Sequence, residues 1–259
     1  MKSPLDCKHL YGLIGYPLVH SFSMDYFNQK FLAEDIDAQY INFEIEELEL
    51  LWEIIAEYPN LNGLNVTAPY KEAIIPYLDS IEDDARDVGA VNVVRFMRDD
   101  KSGKLTGLRG YNSDVEGFDR TLGDVLTPER KRAMVLGTGG ASKAVTAALQ
   151  RHGVEVQLVS RRKTEHTVVY EEITRAMVAQ HTLIVNATPL GKYPDDNLCP
   201  DFPYRFLTKE HLCYDLIYNP EETLFMKNSA RYGAATKNGI EMLLLQAFAS
   251  YEIWTSDND

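Results

Sequence analysis

The chain is short of cysteine and contains no long apolar run. Its three cysteines, Cys7, Cys199 and Cys213, are odd in number and show no C-x-x-C spacing. That argues against a disulfide framework and against a zinc site, and it fits a reducing compartment. Met1 leads directly into polar residues, so no signal peptide is expected. No stretch approaches the roughly 20 apolar residues of a membrane-spanning helix. Positive charge is scarce as well, with 26 Lys and Arg against 39 Asp and Glu and a formal net charge of −13. Such a surface repels phosphate backbones and anionic bilayers, which sets aside general nucleic-acid and membrane binding. It does not exclude a small anion held by a local basic cluster. The expectation is a cytoplasmic protein, monomer or homodimer, whose partner is a small molecule and which needs no metal.

What the chain does have is ordinary globular composition, 45% hydrophobic and 25% charged over 259 residues, enough for one large domain or two modest ones. Short β-rich runs alternate with helical patterns: "HLYGLIG", "MDYFNQKFL", "AQYINFE" and "EELELLWEIIAEY", then strands at "GLNVT" and "AVNVVRF" with a hairpin turn at "RDDKSGK". That alternation predicts an α/β fold with mainly parallel strands. "SDVEGFDRTLGDVL" reads as a connecting helix. "KRAMVLGTGGASKAVTAALQRHGVEVQLVSRR" then reads as strand, glycine turn, helix and strand, and "HTLIVNAT" and "LCYDLIY" add two strands. Near the C-terminus Asn238 and Glu241 have the spacing of a capping box. Ile240, Leu243, Leu244, Ala247, Tyr251 and Trp254 fall on one helical stripe behind them, with Gln246 beside it.

The glycine turn is the first chemical signal. Gly137 and Gly139 follow a short apolar strand and precede a helix, the setting in which backbone N–H groups approach a pyrophosphate at the positive helix end. Ser142 stands where a third glycine is usual, while Gly140 and Ala144 give a G-x-G-G-x-x-x-A variant. The following strand ends in Ser160, Arg161, Arg162 and Lys163, with no carboxylate to bind a ribose 2′-hydroxyl. Guanidinium groups match a 2′-phosphate, which favours NADP over NAD.

The second signal is polar residues where a core strand needs none. In "GLNVTAPYK", Asn65 and Thr67 alternate with Leu64 and Val66, and the Pro69 turn delivers Lys71; in "AVNVV", Asn92 interrupts an apolar strand. Together they suggest the lining of a polar pocket. "GYPLVHSFSMDYF" places Ser21 and Ser23 around a helix start, where hydroxyl and N–H groups can cap the helix or hold a carboxylate. His20 beside them suits a packing or positioning role.

Taken in order, "GYPLVHSFS", "GLNVTAPYK", "GAVNVV", "GYNSDVEGF", "VLGTGGASKA", "VSRRK", "NATPLG", "YDLIYNP" and "NGIEMLLLQA" resemble the shikimate dehydrogenase family over nearly the whole chain. The resemblance implies a two-lobed α/β protein with its active site in the cleft. Residues 1–112 would form an N-terminal α/β substrate lobe and residues 113–237 a Rossmann-like NADP-binding lobe. A C-terminal helix over 238–259 would return to the substrate lobe. The implied reaction is the reversible reduction of 3-dehydroshikimate to shikimate by NADPH. Lys71 and Asp114 match the catalytic pair, with Lys71 as general acid–base. Ser21 and Ser23 match carboxylate-binding serines, and Tyr218 a tyrosine near that carboxylate. Asn65, Thr67, Asn92 and Gln246 match contacts to ring hydroxyls. Cofactor contacts are implied at Gly137, Gly139, Gly140, Ala141, Ser160, Arg161, Arg162, Asn186, Ala187, Thr188 and Gly239.

The chain departs from the family pattern at Met24, where proline is common, at Ser113, where threonine is usual, and at Lys143, where arginine is usual. The "SRRKT" loop also differs from the frequent "NRT". The alternatives are a quinate or dual quinate/shikimate dehydrogenase using NAD, and an inactive metabolite sensor on the same scaffold.

Overall fold

The computed structural model describes residues 3–18, 22–99 and 101–256. Chain contacts divide it into two units, Met1–Ser113 with Ala247–Asp259, and Asp114–Gln246.

The first unit contains β1 (His9–Gly15), α1 (Phe22–Ala33), β2 (Ala38–Glu44), α2 (Leu51–Glu57), β3 (Leu61–Val66) and a single turn α3 (Tyr70–Ala73). They are followed by β4 (Ser80–Ile81), α4 (Asp83–Val88), β5 (Val93–Arg98) and β6 (Leu105–Tyr111). Its sheet runs β2-β1-β3-β5-β6-β4. β1 is parallel to β2 and β3, whereas β5 is antiparallel to both β3 and β6. The sheet is therefore mixed, because the polar turn after Arg98 folds β5 back on β6 as a hairpin. Leu10, Ile14, Leu61, Leu64, Val66 and Val94 belong to an apolar cluster on this sheet. A second cluster is aromatic: Phe27 of α1 stacks on Tyr40 at 4.8 Å and Trp254 on Tyr11 at 4.8 Å. Gly63 lies beneath the Trp254 indole, which any β-carbon at that position would overlap.

The second unit continues from α5 (Ser113–Arg120) through β7 (Arg132–Leu136), α6 (Gly140–Arg151), β8 (Glu155–Ser160), β9 (Thr167–Val169) and α7 (Arg175–Gln180). It ends with β10 (Leu183–Asn186), β11 (Leu212–Asp215), α8 (Leu224–Arg231), β12 (Ala235–Lys237) and the start of α9 (Ile240–Thr255). Its sheet is wholly parallel, in the order β12-β11-β10-β7-β8-β9. Val135, Leu136, Ile184, Val185, Cys213 and Tyr214 are all fully buried, the continuous apolar burial expected of central parallel strands. The chain starts in the middle at β7, runs outward to β9, then returns beside β7 and runs outward the other way. The reversal between β7 and β10 is the switch point at which open parallel sheets bind ligands, at the carboxyl ends of their strands.

Three local expectations are corrected. Asn92 does not interrupt a strand, since β5 begins at Val93 and Asn92 occupies the turn before it. The connecting helix α5 stops at Arg120, where Thr121 Oγ1 donates to the Phe118 carbonyl at 2.7 Å and the chain turns. The apolar stripe of α9 holds in part: Ala247 and Trp254 are buried, but Ile240 is 39% exposed and Met242, Ala249 and Ser250, outside the expected stripe, are buried. α9 passes from the second unit to the first between Gln246 and Ala247. At its start the Asn238 side chain accepts from the Ile240 N–H at 3.3 Å, while Glu241 pairs with Lys237 at 2.6 Å.

Candidate active site

In the first unit, β3 carries Asn65 into a buried polar cluster. The Tyr40 hydroxyl donates to Asn65 Oδ1 at 2.8 Å, and Asn65 Nδ2 donates to the Ser250 hydroxyl at 3.0 Å and to the Asn92 carbonyl at 3.3 Å. Asn92 Nδ2 donates to the Ser113 hydroxyl at 3.0 Å, and Asn92 Oδ1 accepts from the Ser113 N–H at 2.7 Å. The Ser113 and Ser250 hydroxyls lie 3.0 Å apart. Ser23, in the first turn of α1, hydrogen-bonds the Tyr40 hydroxyl, although burial still drives that phenol far above its ordinary pKa. Beyond β3, the Thr67 N–H donates to the Ile14 carbonyl at 2.9 Å and the Thr67 carbonyl accepts from the Tyr70 N–H at 2.9 Å, closing the turn into α3. Lys71 sits half-buried on α3, its carbonyl accepting from the Val91 N–H at 2.7 Å. The segments bearing Asn65, Lys71 and Asn92 are thus tied by backbone bonds. Ser21 and His20 lie outside the described residues.

In the second unit the glycine turn sits at the carboxyl end of β7, at the switch point. Gly137 adopts φ +113°, and a β-carbon there would lie 3.1 Å from the Ala187 carbonyl. Gly139 caps α6 in an extended conformation, with open space where a side chain would project. Gly140 and Ala141 form the first turn of the helix. Ser142, in place of a third glycine, donates to the Gly137 carbonyl at 2.7 Å and closes the loop from inside. At the end of β8, Ser160 Oγ accepts from the Arg162 N–H at 3.2 Å, and Arg161 and Arg162 are exposed. Lys163 differs from the other two cations of the loop, because it is held in an ion pair with Glu172.

The "NATPLG" segment is fastened to this turn. The Ala187 N–H donates to the Leu136 carbonyl at 2.9 Å, while Asn186 Oδ1 accepts from the Thr188 hydroxyl at 2.7 Å and N–H at 3.1 Å. Asn186 Nδ2 donates to Asp215 Oδ1 at 3.0 Å. Gly239 donates to the Ile217 carbonyl at 3.0 Å, and a β-carbon at Gly239 would run into the Leu216 carbonyl. Tyr218, half-buried after β11, has its phenol pKa raised by burial. Asp114 is nearly buried in the first turn of α5. Gln246 packs over Gly117 of the same helix, where an added β-carbon would stand 2.6 Å from Gln246 Cβ.

The residues thus form two groups. One is an amide-and-hydroxyl cluster beside a lysine. The other is a glycine cradle with a helix N-terminus and two exposed arginines. Residues 13–94 match the model of the shikimate dehydrogenase substrate binding domain. The chain is 35% identical to the shikimate dehydrogenase (NADP(+)) of Desulforamulus reducens, over 94% of this chain and 89% of that one. It belongs to the shikimate dehydrogenase family.

Solved structures agree. The shikimate dehydrogenase of Aquifex aeolicus superposes with a TM-score of 0.81 at 36% identity, covering 97% of this chain and 94% of that one. The quinate dehydrogenase of Corynebacterium glutamicum in complex with NAD gives 0.82 at 28% identity, covering 96% and 94%. Within this shikimate dehydrogenase fold, sequence reasoning overlooked Tyr40, Ser250, Asp215 and Thr223. Asp215 lies inside the quoted "YDLIYNP" and is a carboxylate ending an apolar strand, a legible signal. Ser250 is a small polar residue flanked by apolar ones on α9, which helical spacing alone does not distinguish from a core filler. Among the described residues no helix is long and apolar enough to cross a membrane, and no cluster of His, Cys, Asp and Glu could hold a metal ion.

Proposed function

We propose that the protein catalyses the NADPH-dependent, reversible reduction of 3-dehydroshikimate to shikimate, on the route to chorismate and the aromatic amino acids. The observation that carries this reading is the buried cluster of Asn65 and Asn92, joined through the backbone to the segment bearing Lys71. A substrate rich in hydroxyls needs such polar side chains where a strand would otherwise be apolar. The first unit is then the substrate lobe and the second the cofactor lobe.

NADP fits the second unit. Gly139 leaves open space at the start of α6, whose first N–H groups suit a pyrophosphate. Arg161 and Arg162 are exposed at the end of β8, where guanidinium groups suit a 2′-phosphate and the strand end itself carries no carboxylate. Gly137, Gly140, Ala141, Ser160, Asn186, Ala187, Thr188 and Gly239 complete that site. The nicotinamide, when bound, supplies or accepts the hydride at the ring carbon. Lys71 gives a proton to the ring oxygen during reduction and takes it back during oxidation, with Asp114 as the second member of the pair. Asn65, Thr67, Asn92 and Gln246 hold the ring hydroxyls, and Ser21, Ser23 and Tyr218 the carboxylate.

The likeness to a quinate dehydrogenase favours a second reading, in which quinate is also accepted, with NAD. One assay separates them. Purified protein is given shikimate or quinate, each with NADP or NAD, and reduced nicotinamide is followed by absorbance. The fastest turnover is expected with shikimate and NADP. Faster turnover of quinate with NAD would carry the second reading, and no turnover with any pair would leave the sensor alternative.

A further inference from the structure

Asn65 has nearly all of its hydrogen-bonding capacity committed within the protein. A side-chain amide carries two N–H donors and two acceptor lone pairs. Both donors of Asn65 are engaged, by the Ser250 hydroxyl and the Asn92 carbonyl, and one lone pair is engaged by the Tyr40 hydroxyl. One lone pair on Oδ1 remains. Tyr40 and Ser250 are fully buried, and Asn65 is buried with 7% of its surface exposed. Asn92 is the complement. Its Oδ1 accepts from the Ser113 N–H and one Nδ2 hydrogen goes to the Ser113 hydroxyl, while no described residue engages the other.

Resting on the reading of Asn65 and Asn92 as substrate contacts, we infer that Tyr40 and Ser250 are positioning residues that fix Asn65 as a hydrogen-bond acceptor while Ser113 leaves Asn92 a donor. The orientation is over-determined. Turning the Asn65 amide over would point Nδ2 at the Tyr40 hydroxyl and Oδ1 at the Asn92 carbonyl, setting two acceptors against each other. The Tyr40 oxygen is itself held by the Ser23 hydroxyl, which leaves its hydrogen for Asn65. The site therefore selects a polyol: one ring hydroxyl must donate to Asn65 and one must accept from Asn92. A keto or ether oxygen facing Asn65 leaves two acceptors opposed and is rejected.

The test is steady-state kinetics of shikimate oxidation by NADP with N65A, Y40F, S250A and the double variant Y40F/N65A. Y40F keeps the ring that stacks on Phe27. KM does not depend on the concentration of active enzyme, so partial unfolding cannot imitate the effect. Y40F and S250A are each expected to raise the KM for shikimate on the order of tenfold, with the KM for NADP and kcat little changed. In the N65A background Y40F is expected to add nothing, because its effect passes through the amide. An equal increase of KM in both backgrounds assigns Tyr40 a shape-only role and overturns the proposal. Silent Y40F and S250A beside a damaging N65A also overturn it. An N65A enzyme with unchanged KM instead removes the substrate-contact reading beneath it.

Discussion

Asn186 and Asp215 are register partners at the ends of the neighbouring parallel strands β10 and β11, and the amide of one donates to the carboxylate of the other at 3.0 Å. The carboxylate also accepts from the Thr223 hydroxyl at 2.6 Å and the Ile217 N–H at 3.0 Å. On the far side, Asn186 Oδ1 holds the Thr188 turn that packs on Gly137. A chain of hydrogen bonds thus runs from Thr223, the N-cap of α8, to Thr188 beside Gly137, with Asp215 at its centre.

Asp215 is fully buried, and desolvation outweighs its three hydrogen bonds and pushes its pKa from 3.8 up to about 6. A carboxyl raised in the folded state contributes its full stability below about 3.8, and that contribution is lost as pH rises through about 6. The amount is about 3 kcal/mol for a shift of this size. Asp215→Asn does not titrate. Relative to the wild type, its unfolding free energy is expected to improve by about that amount between pH 4 and pH 7, read by urea denaturation at each pH. A difference between the two proteins that stays flat across the window counts against the raised pKa.

Lys71→Ala and Lys71→Met are expected to lower kcat for shikimate oxidation by on the order of 100-fold or more, with KM within a few-fold. A proton carrier acts in the transition state, so its loss falls on turnover. If the loss appears in KM instead, Lys71 is a binding residue and the proton is carried by another group.

The cofactor prediction concerns Arg161 and Arg162. Replacing both by Ala is expected to raise the KM for NADP on the order of tenfold or more while leaving that for NAD nearly unchanged, because a 2′-phosphate is absent from NAD. Lys163→Ala is expected to leave the KM for NADP unchanged, since that lysine is committed to Glu172. Equal losses for the two cofactors after the arginine changes would place the guanidinium groups elsewhere than at the 2′-position.

The all-parallel unit was the more legible of the two, and the reason is physical. Its strands are short continuous apolar runs separated by helical patterns, and Gly137 must be glycine because its φ is positive, so pattern and backbone agree. In the other unit the polar positions carried less information. Asn65 reads correctly as out of place on a buried strand, yet the residues that hold it, Tyr40 and Ser250, lie 25 positions before it and 185 after it. Nothing local in the sequence connects them. Asn92 looked like part of a strand because Val91, Val93 and Val94 surround it, but its carbonyl turns to accept from the Val66 N–H at 2.8 Å and its side chain caps Ser113. The stripe expected on α9 holds at Ala247 and Trp254 and misses at Ile240, which is 39% exposed in the first turn of the helix.

Gly63 and Trp254 are coupled by packing alone. The indole lies directly over Gly63, donates from Nε1 to the Val94 carbonyl at 3.2 Å and stacks on Tyr11. It cannot retreat from an added methyl without giving up both contacts. Gly63→Ala is therefore expected to destabilise the protein by about 1–3 kcal/mol, as overpacking does, and Trp254→Ala by about 3–5 kcal/mol through the cavity it leaves. The two costs share one cause, so in the Trp254→Ala background the added methyl meets empty space and Gly63→Ala is expected to cost little or to stabilise. Denaturant unfolding of the two single variants and the double variant measures the coupling. Additive losses would mean that Gly63 is required for its backbone and not for the space it leaves beneath the indole.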